Sequence, residues 1–435
     1  MMKELKNESR RSFLKKSAIA AAAVTIPTYV PASSFGANDR INAAVLGVNG
    51  RGRSIINGFM ELDNVEVTTL VDPDLVVANA RAKDFEERYG KKVKVVQDLR
   101  TSYDDKDIDV VGIATPNHWH SLATIWACQA GKDVYVEKPA SHNVWEGRKM
   151  VEAAHKYNRI VQNGVQLRSS PAIQEAIQLM RDGYIGKVYM ARGLVFRTRP
   201  DIGNKPFEPV PEGLDYDLWT GPAPKRPFTR NLVHYNWHWH WDYGNGDVGN
   251  QGIHETDLCM WGLDVGLPTK ITAMGGKFLW DDAKETPEVL TSVYNYPEEG
   301  KIIQFEVRHW HTNREDGVGV GNIFYGDKGY LVVDGYNTYS TFLGPKREPG
   351  KARSEGGNHY ANFIDAVRAR DVSIQNGPVE SAHLSSALAH LGNIAYLTGR
   401  VLTFNPNTER FVNDPEADNL LTRSYRKPYV VRDRV

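Results

Sequence analysis

Cysteine is almost absent: Cys128 and Cys259 are the only two thiols in 435 residues, so no disulfide framework holds the chain, and two buried free thiols in separate domains are expected. Neither sign of charge is in excess, with 53 Lys and Arg against 53 Asp and Glu. That balance excludes a basic nucleic-acid-binding domain and a disordered polyelectrolyte. Beyond the N-terminal region no internal repeat or low-complexity tract is found. No run reaches the eighteen apolar residues of a permanent transmembrane helix, so no stable membrane span is expected. What is present is 41% hydrophobic and 10% aromatic residues, enough for a globular protein, and the length suggests two domains with three as the alternative.

The basic side chains are unevenly placed. Residues 1–38 carry six basic and two acidic groups, leaving 47 against 51 in the remaining 397, a body at about −4. Ser9-Arg10-Arg11-Ser12-Phe13-Leu14-Lys15-Lys16 precedes an alanine-rich apolar run, Ala18 to Ile26, then small residues and prolines. A charged region, a short apolar core and a cleavage zone read as a signal peptide, and the arginine pair reads as the twin-arginine form. Cleavage after Ala32 fits best, with Ala37 as the runner-up. The expectation is a periplasmic protein and a passing partnership with the twin-arginine translocase, a route that carries proteins already folded, often around a cofactor.

From Arg40 the pattern is strand, glycine turn, helix, strand. Ile41 to Leu46 leads into Gly47-Val48-Asn49-Gly50-Arg51-Gly52, a helix follows from about Ser54, and Val65 to Val71 ends in Asp72. Such alternation implies a doubly wound parallel sheet, whose first strand-to-helix turn holds a pyrophosphate on a helix N-terminus. Asp72, twenty residues past Gly52, fits the acid that binds the adenosine ribose. Asn49 stands where the fingerprint has its second glycine; asparagine tolerates positive φ, and Gly50 offers the close backbone approach. The Asp72 carboxylate would repel a 2′-phosphate, favouring NAD, with NADP left open by Arg51 and Arg53. Further elements continue the unit: Val93 to Val96, Ile108 to Ala114, a helix from His118 to Ala130, Val134 to Val136, and a helix through Lys149 and Ala154.

Two strand ends are chemically loaded: Thr115-Pro116-Asn117-His118-Trp119-His120 and Glu137-Lys138-Pro139. With the glycine turn and a later Gly252-Ile253-His254-Glu255-Thr256-Asp257, they resemble the Gfo/Idh/MocA oxidoreductases, a likeness spanning most of residues 40 to 400. The resemblance implies an α/β protein with an N-terminal Rossmann domain and a C-terminal α/β domain built on a large, mostly antiparallel open sheet. It also implies a homo-oligomer assembled through that sheet, and a small-molecule carbohydrate as substrate. The expected segments are 1–38 signal and linker, 39–165 nucleotide domain, 166–405 substrate domain and 406–435 a C-terminal arm. Gly47, Asn49, Gly50, Arg51, Gly52, Asp72, Thr115, Pro116, Asn117, His120, Glu137 and Lys138 are the cofactor-binding candidates. Oxidising a secondary alcohol needs a hydride acceptor, a base and a cation beside the developing alkoxide. Lys138 and His254 are the catalytic candidates, Lys138 supported by the family's Glu-Lys-Pro lysine. Where the family has aspartate four residues before the histidine, this chain has Asn250, which can take no proton. Asp257 then becomes the candidate for orienting His254.

His234-Tyr235-Asn236-Trp237-His238-Trp239-His240-Trp241-Asp242-Tyr243 is the most unusual stretch. As an extended chain it would put His238 and His240 on one face and tryptophans on the other. Sugar binding by Trp237, His238 and His240 stands level with plain sheet packing, and a zinc site is the weakest reading. Arg168, Asn250 and Asp257 complete the substrate-binding candidates, with Arg168 equally readable as a salt-bridged structural residue. Beyond Thr269, Ile271 to Phe278, Val289 to Tyr296, Ile302 to Trp310 and Ile323 to Val333 read as strands, His359 to Arg370 and Glu380 to Arg400 as helices. The favoured activity is an exported NAD(P)-dependent oxidoreductase acting on a sugar, polyol or glycoside hydroxyl. The alternatives are an NAD-dependent glycosidase of the α-N-acetylgalactosaminidase type and a carbohydrate-binding protein without turnover.

Overall fold

The computed structural model describes residues 40–435; the arginine pair and both cleavage positions lie outside the described residues. The first half alternates as the sequence pattern requires: β1 (Ile41–Leu46), α1 (Gly52–Met60), β2 (Val65–Val71), α2 (Leu75–Tyr89), β3 (Lys94–Val96), α3 (Leu99–Asp104), β4 (Val110–Ile113), α4 (Asn117–Gln129), β5 (Asp133–Val136), α5 (Val144–Lys156) and β6 (Val161–Asn163). The strands form one parallel sheet in the order β3-β2-β1-β4-β5-β6. Strands β4 and β5 are buried at every position, as central strands covered on both faces must be. The order reverses between β1 and β4, and there the loops after the two strands part to leave a crevice at their carboxyl ends. Gly47 sits at that reversal with φ +77, where a Cβ would meet the Ala114 carbonyl oxygen at 2.6 Å.

After α6 (Pro171–Arg181) the chain enters a second sheet at β7 (Val188–Arg197). Then come α7 (Tyr216–Thr220), α8 (Gly246–Asn250), α9 (Ile253–Leu263), β8 (Lys270–Gly276), β9 (Val289–Tyr296), β10 (Lys301–His309), β11 (Val320–Gly326), β12 (Gly329–Asp334), β13 (Thr338–Leu343) and β14 (Glu348–Ser354). The chain closes with α10 (His359–Ala369), α11 (Val379–Thr398), β15 (Leu402–Asn405), β16 (Arg410–Phe411) and α12 (Pro415–Asn419). This sheet has ten strands in the order β14-β13-β12-β11-β7-β10-β9-β8-β15-β16, and apart from the parallel β7–β10 pair its long pairings are antiparallel. Burial alternates along β9, and its buried Leu290 and Tyr294 join the core that α9 and α11 cover. The expected fold class, a doubly wound Rossmann sheet followed by an α/β domain on a mostly antiparallel sheet, is the one observed.

Local expectations differ in four places. Ile323 to Val333 is a hairpin rather than one strand, because Gly326-Asp327-Lys328-Gly329 turns the chain between β11 and β12. Helix α2 goes unnoticed in the sequence; its charged, weakly amphipathic run gives little periodic signal, and only the capping Asp74, which accepts from Val76 N and Val77 N, marks its start. Residues 234–243 are not extended. A 3₁₀ turn at Asn236–Trp239 intervenes, closed by the Trp237 amide on the Leu232 carbonyl and by His238 Nδ1 on the Tyr235 carbonyl. The tail after Asn405 forms β16 and α12 and then returns to the first domain, where Tyr429, Val431 and Val435 are buried in its core. Burying a valine is worth about 1.5–3 kcal/mol, so this return is an anchored one. Both cysteines are buried and free, Cys128 in α4 and Cys259 in α9.

Candidate active site

The crevice at the sheet reversal opens into a cavity of about 400 Å³, within the range of small-molecule sites. Gly47, Asn49, Gly50, Arg51 and Asp72 are part of its lining. A Cβ at Gly50 would meet nothing within 4 Å, whereas one at Gly52 would strike the Gly47 carbonyl oxygen at 2.0 Å. Gly50 therefore leaves the turn open toward the cavity, and Gly52 is a packing glycine that lets α1 start against the turn. The positive φ of the turn falls on Gly47, not Asn49, so asparagine costs no strain where the fingerprint has glycine. Arg81, on α2, holds the outside of the turn, donating from Nε to the Val48 carbonyl (3.0 Å) and from Nη2 to the Asn49 carbonyl (3.0 Å). Nothing in the sequence marks Arg81 for the turn, since the two carbonyls it holds there are 32 and 33 residues away; its Nη1 pairs locally with Asp84 (2.7 Å).

Asp72 is buried, its Oδ2 accepting from Val48 N (2.9 Å) and its Oδ1 from Asp74 N (3.0 Å). Burial pushes this carboxyl up to about 6, against the pull of those two amides. Each oxygen keeps a second lone pair for a hydroxyl donor. Three buried polar atoms of cavity residues, Thr115 Oγ1, Glu137 Oε2 and His254 Nδ1, have no protein partner. An open glycine turn, a ribose-type carboxylate and orphaned polar atoms in the wall are what a bound dinucleotide requires.

Thr115, Pro116, Asn117, His120, Glu137 and Lys138 also line the cavity. His120 ties the two strand-end loops together, its Nδ1 on the Pro139 carbonyl (2.6 Å) and its Nε2 on the Thr115 carbonyl (2.7 Å). Glu137 does not neutralise its neighbour Lys138 by direct pairing; its Oε1 accepts from Arg51 Nε (2.7 Å) and Gln166 Nε2 (3.2 Å). Lys138 Nζ instead donates to the backbone carbonyl of Asn250. An ammonium has three protons, so two remain for a ligand. Burial lowers the Lys138 pKa from its ordinary value, which brings the amine closer to proton exchange.

His254 lies at the start of α9, buried and lining the same cavity. Its Nδ1 has no protein partner, and its ring centroid is 4.7 Å from that of Tyr336. Burial, and then the charges of Lys138 and Arg51, hold it well below the usual imidazole range, so at neutral pH it is an uncharged base. Asp257 is committed elsewhere: both its oxygens accept from Arg168, at 2.7 and 2.9 Å, and the guanidinium lies 4.8 Å over Trp261. Arg168 and Asp257 thus form a pair in which the carboxylate is buried and the guanidinium partly so, and neither is among the residues lining the cavity.

Asn250 faces the cavity, and its Nδ2 donates to Asp247 Oδ1 (3.2 Å). Asp247 is fully buried, gripped bidentately by Arg199 (2.7 and 2.8 Å) and reached by His309 Nε2 (3.1 Å). Burial opposes its charge, but His309 and Arg199 outweigh burial and hold the carboxyl below its ordinary range. The carboxylate missing at position 250 is therefore present one turn earlier, and the amide bridges it to the cavity. An amide suits that position because it can donate to Asp247, which a second carboxylate could not.

The segment 207–243 supplies further lining, from Leu218, Trp219, His234, Tyr235, Trp237 and His238. Trp237 and His238 line the cavity, stacked at 3.6 Å, and with His238 Nδ1 on a carbonyl its Nε2 is left as an acceptor. Burial pushes His238 down to about 3. His240 turns away, with Nε2 on the Asn231 carbonyl (3.1 Å) and Nδ1 beside Glu285 (3.4 Å). The cause is the 3₁₀ turn, which breaks the two-residue alternation. Among the described residues no group of three or more His, Cys, Asp or Glu is gathered for a metal ion. The sequence reading missed Gln97, Leu99, Trp219 and Tyr336, all in the cavity wall, and named His234 only as a zinc candidate with His238, His240 and Asp242. Gln97 comes from a loop, Tyr336 from a hairpin tip, and Leu99 and Trp219 from the short helices α3 and α7, too short for a periodicity that points inward.

Comparison with known proteins matches two family models. One, described as an oxidoreductase family NAD-binding Rossmann fold, covers residues 41–165; the other, the C-terminal alpha/beta domain of the oxidoreductase family, covers 201–431. A levoglucosan dehydrogenase of Pseudarthrobacter phenanthrenivorans is 34% identical over 142 residues, 33% of this chain and 35% of that protein. A glycosyl hydrolase family 109 protein of Shewanella sp. (strain MR-4) is 30% identical over 172 residues, 34% of this chain and 38% of that protein. The chain spans from about a third to about half the length of the curated relatives it matches. A levoglucosan dehydrogenase solved with NADH and levoglucosan superposes with a TM-score of 0.63 at 18% identity, over 84% of this chain and 99% of that one.

Proposed function

Because the chain belongs to the Gfo/Idh/MocA oxidoreductase family, we propose that it is an exported enzyme that uses tightly held NAD(H) to oxidise a secondary hydroxyl of a sugar, polyol or glycoside. The observation that carries this reading is the meeting of the Lys138 ammonium and the uncharged His254 in the cavity that the glycine turn and Asp72 enter. Bound in the crevice, NAD supplies the hydride acceptor. Lys138 donates to the substrate oxygen and stabilises the negative charge that grows there, while His254 takes the hydroxyl proton. Asn250 orients a neighbouring hydroxyl, and Trp237 offers an aromatic face to the C–H face of a sugar ring. The Asp72 carboxylate favours NAD over NADP.

Denaturing the purified protein and identifying the released nucleotide by mass is the direct test. NAD(H) is expected to copurify, and Asp72→Ala to weaken its retention by about 1.5–3 kcal/mol, the size of a lost hydrogen bond to a charged group. Nucleotide-free protein that binds neither NAD nor NADP by calorimetry would overturn the assignment.

The family 109 relatives support a second reading, in which the same residues oxidise a glycoside transiently, eliminate the aglycone and reduce the product again. Release of the aglycone with no net NADH distinguishes it from a dehydrogenase. Export rests on the sequence of residues 9–37. Arg10→Lys with Arg11→Lys is expected to leave unprocessed protein in the cytoplasm; an undiminished periplasmic yield would rule out the twin-arginine route.

A further inference from the structure

We infer that Arg423 and Arg426 in the C-terminal tail are positioning residues for the nucleotide, acting through residues 207–243 as a strap latched over its adenosine half; this rests on the NAD(H) reading above. The strap meets the nucleotide domain at the end of β2, where the adenosine ribose belongs. Leu75 N donates to the Gly213 carbonyl (2.9 Å), Asp215 N to the Pro73 carbonyl (2.8 Å), and Gln97 Nε2 to the Gly213 carbonyl (3.1 Å). His234 Nε2 lies 3.2 Å from Asp74 Oδ2. From α4, Trp119 Nε1 and His118 Nε2 both reach the Trp219 carbonyl, at 3.1 and 2.9 Å. Leu218, Trp219 and His234 of the strap then line the same cavity as Asp72, Gln97 and Leu99. A dinucleotide seated on Asp72 is walled in by the strap.

The tail holds the strap in place. Arg426 spans three of its acceptors: Nε donates to the Gly221 carbonyl (3.0 Å), Nη2 to the Asp217 carbonyl (2.7 Å) and Nη1 to Asp217 Oδ1 (2.7 Å). Arg423 joins the strap to the nucleotide domain, with Nη1 on the Asp242 carbonyl (3.3 Å), Nη2 on the His118 carbonyl (2.9 Å) and Nε on Glu146 Oε1 (2.9 Å). Tyr429 packs edge-on against Trp119 at 5.4 Å. Lifting the strap therefore breaks several charge-assisted hydrogen bonds together. The tail has its own anchor in the buried Tyr429, Val431 and Val435, so the two guanidinium groups are not needed merely to keep it attached. An enzyme working where no nucleotide pool is available has a use for such a latch.

The test compares Arg423→Ala, Arg426→Ala and the milder Arg426→Lys with Arg400→Ala. Arg400 pairs with Asp414 and Glu416 of the same tail and donates to the Thr398 carbonyl, away from the strap. The dissociation rate of NADH is followed by fluorescence, and calorimetry gives affinities for ADP-ribose and for nicotinamide mononucleotide. Arg426→Ala is expected to speed NADH release by about 10- to 100-fold and to weaken ADP-ribose similarly. Nicotinamide mononucleotide binding, and all constants of Arg400→Ala, are expected to stay unchanged. Unaltered NADH release in folded Arg426→Ala and Arg426→Lys overturns the latch, as does equal weakening of both half-ligands. Hydrogen exchange in nucleotide-free protein reads the latch without any ligand: the amides of 216–221 are expected to exchange faster in Arg426→Ala than in Arg400→Ala, and equal rates overturn it. If the unmutated protein binds no nucleotide, the cofactor reading fails separately, and the exchange result still decides whether the tail holds the strap.

Discussion

Lys138→Ala is expected to slow hydride transfer by about two to three orders of magnitude, the roughly 2.7–4 kcal/mol that follows loss of one preorganised donor to a developing oxyanion, while the nucleotide stays bound. The argument is geometric. The ammonium is half-buried and donates to the Asn250 carbonyl, and its neighbour Glu137 is occupied by Arg51 and Gln166. Its charge is thus unspent in the ground state and available where an alkoxide forms. Single-turnover reduction of bound NAD with a panel of sugars and glycosides measures the effect, and mass analysis of retained nucleotide shows that binding survives. A rate drop accompanied by loss of nucleotide would make Lys138 a cofactor residue instead. A pure rise in KM with kcat unchanged would mean that it binds ground state and transition state alike.

The nucleotide domain was legible because its signals are local. A buried strand reads as a continuous apolar run, a glycine turn follows it, and Asp72 stands at a fixed spacing. The same holds for Glu137-Lys138, whose place at the end of a buried strand aims them into the crevice. Residues 234–243 were misread because their alternation is real in the sequence but is cancelled by the turn at Asn236–Trp239, which depends on Leu232 and Tyr235 carbonyls rather than on any residue preference. The hairpin at 327–328 was missed because alternation continues on both sides of it.

Within the site, type and position were legible and pairing was not. Asp257 lies three residues after His254, on a helix face where contact is natural, yet Arg168, 89 residues earlier, takes both of its oxygens. Asn250 looked like a lost carboxylate because Asp247 falls outside the expected spacing; only the fold shows Asp247, Arg199 and His309 meeting behind the amide. Tyr336 comes from a hairpin tip 82 residues after the histidine it covers, and no local pattern could name it.

His254→Ala carries the other large effect, an expected loss of about 10² to 10⁴ in the same single-turnover rate if the imidazole takes the hydroxyl proton. The expected pH dependence has a definite sign. Burial and the Lys138 and Arg51 charges hold His254 well below the usual imidazole range, so the base is already deprotonated across the neutral range and is lost only when the pH falls through that depressed value. The rate assigned to His254 is therefore expected to be flat near neutrality in the unmutated enzyme and to fall on the acid side. Asn250→Asp tests the neighbourhood. Its new carboxylate would stand where Asn250 Nδ2 now donates to Asp247 at 3.2 Å, and two carboxylates that close do not both ionise freely. The variant is expected to add an acid-side titration to the rate profile and, once ionised, to raise the basicity of His254. An Asn250→Asp profile identical to the parent's would mean that position 250 does not feel the base. Unchanged rates in both alanine variants would move the chemistry away from this cavity, and no hydride exchange in the unmutated protein would leave carbohydrate binding without turnover as the surviving reading.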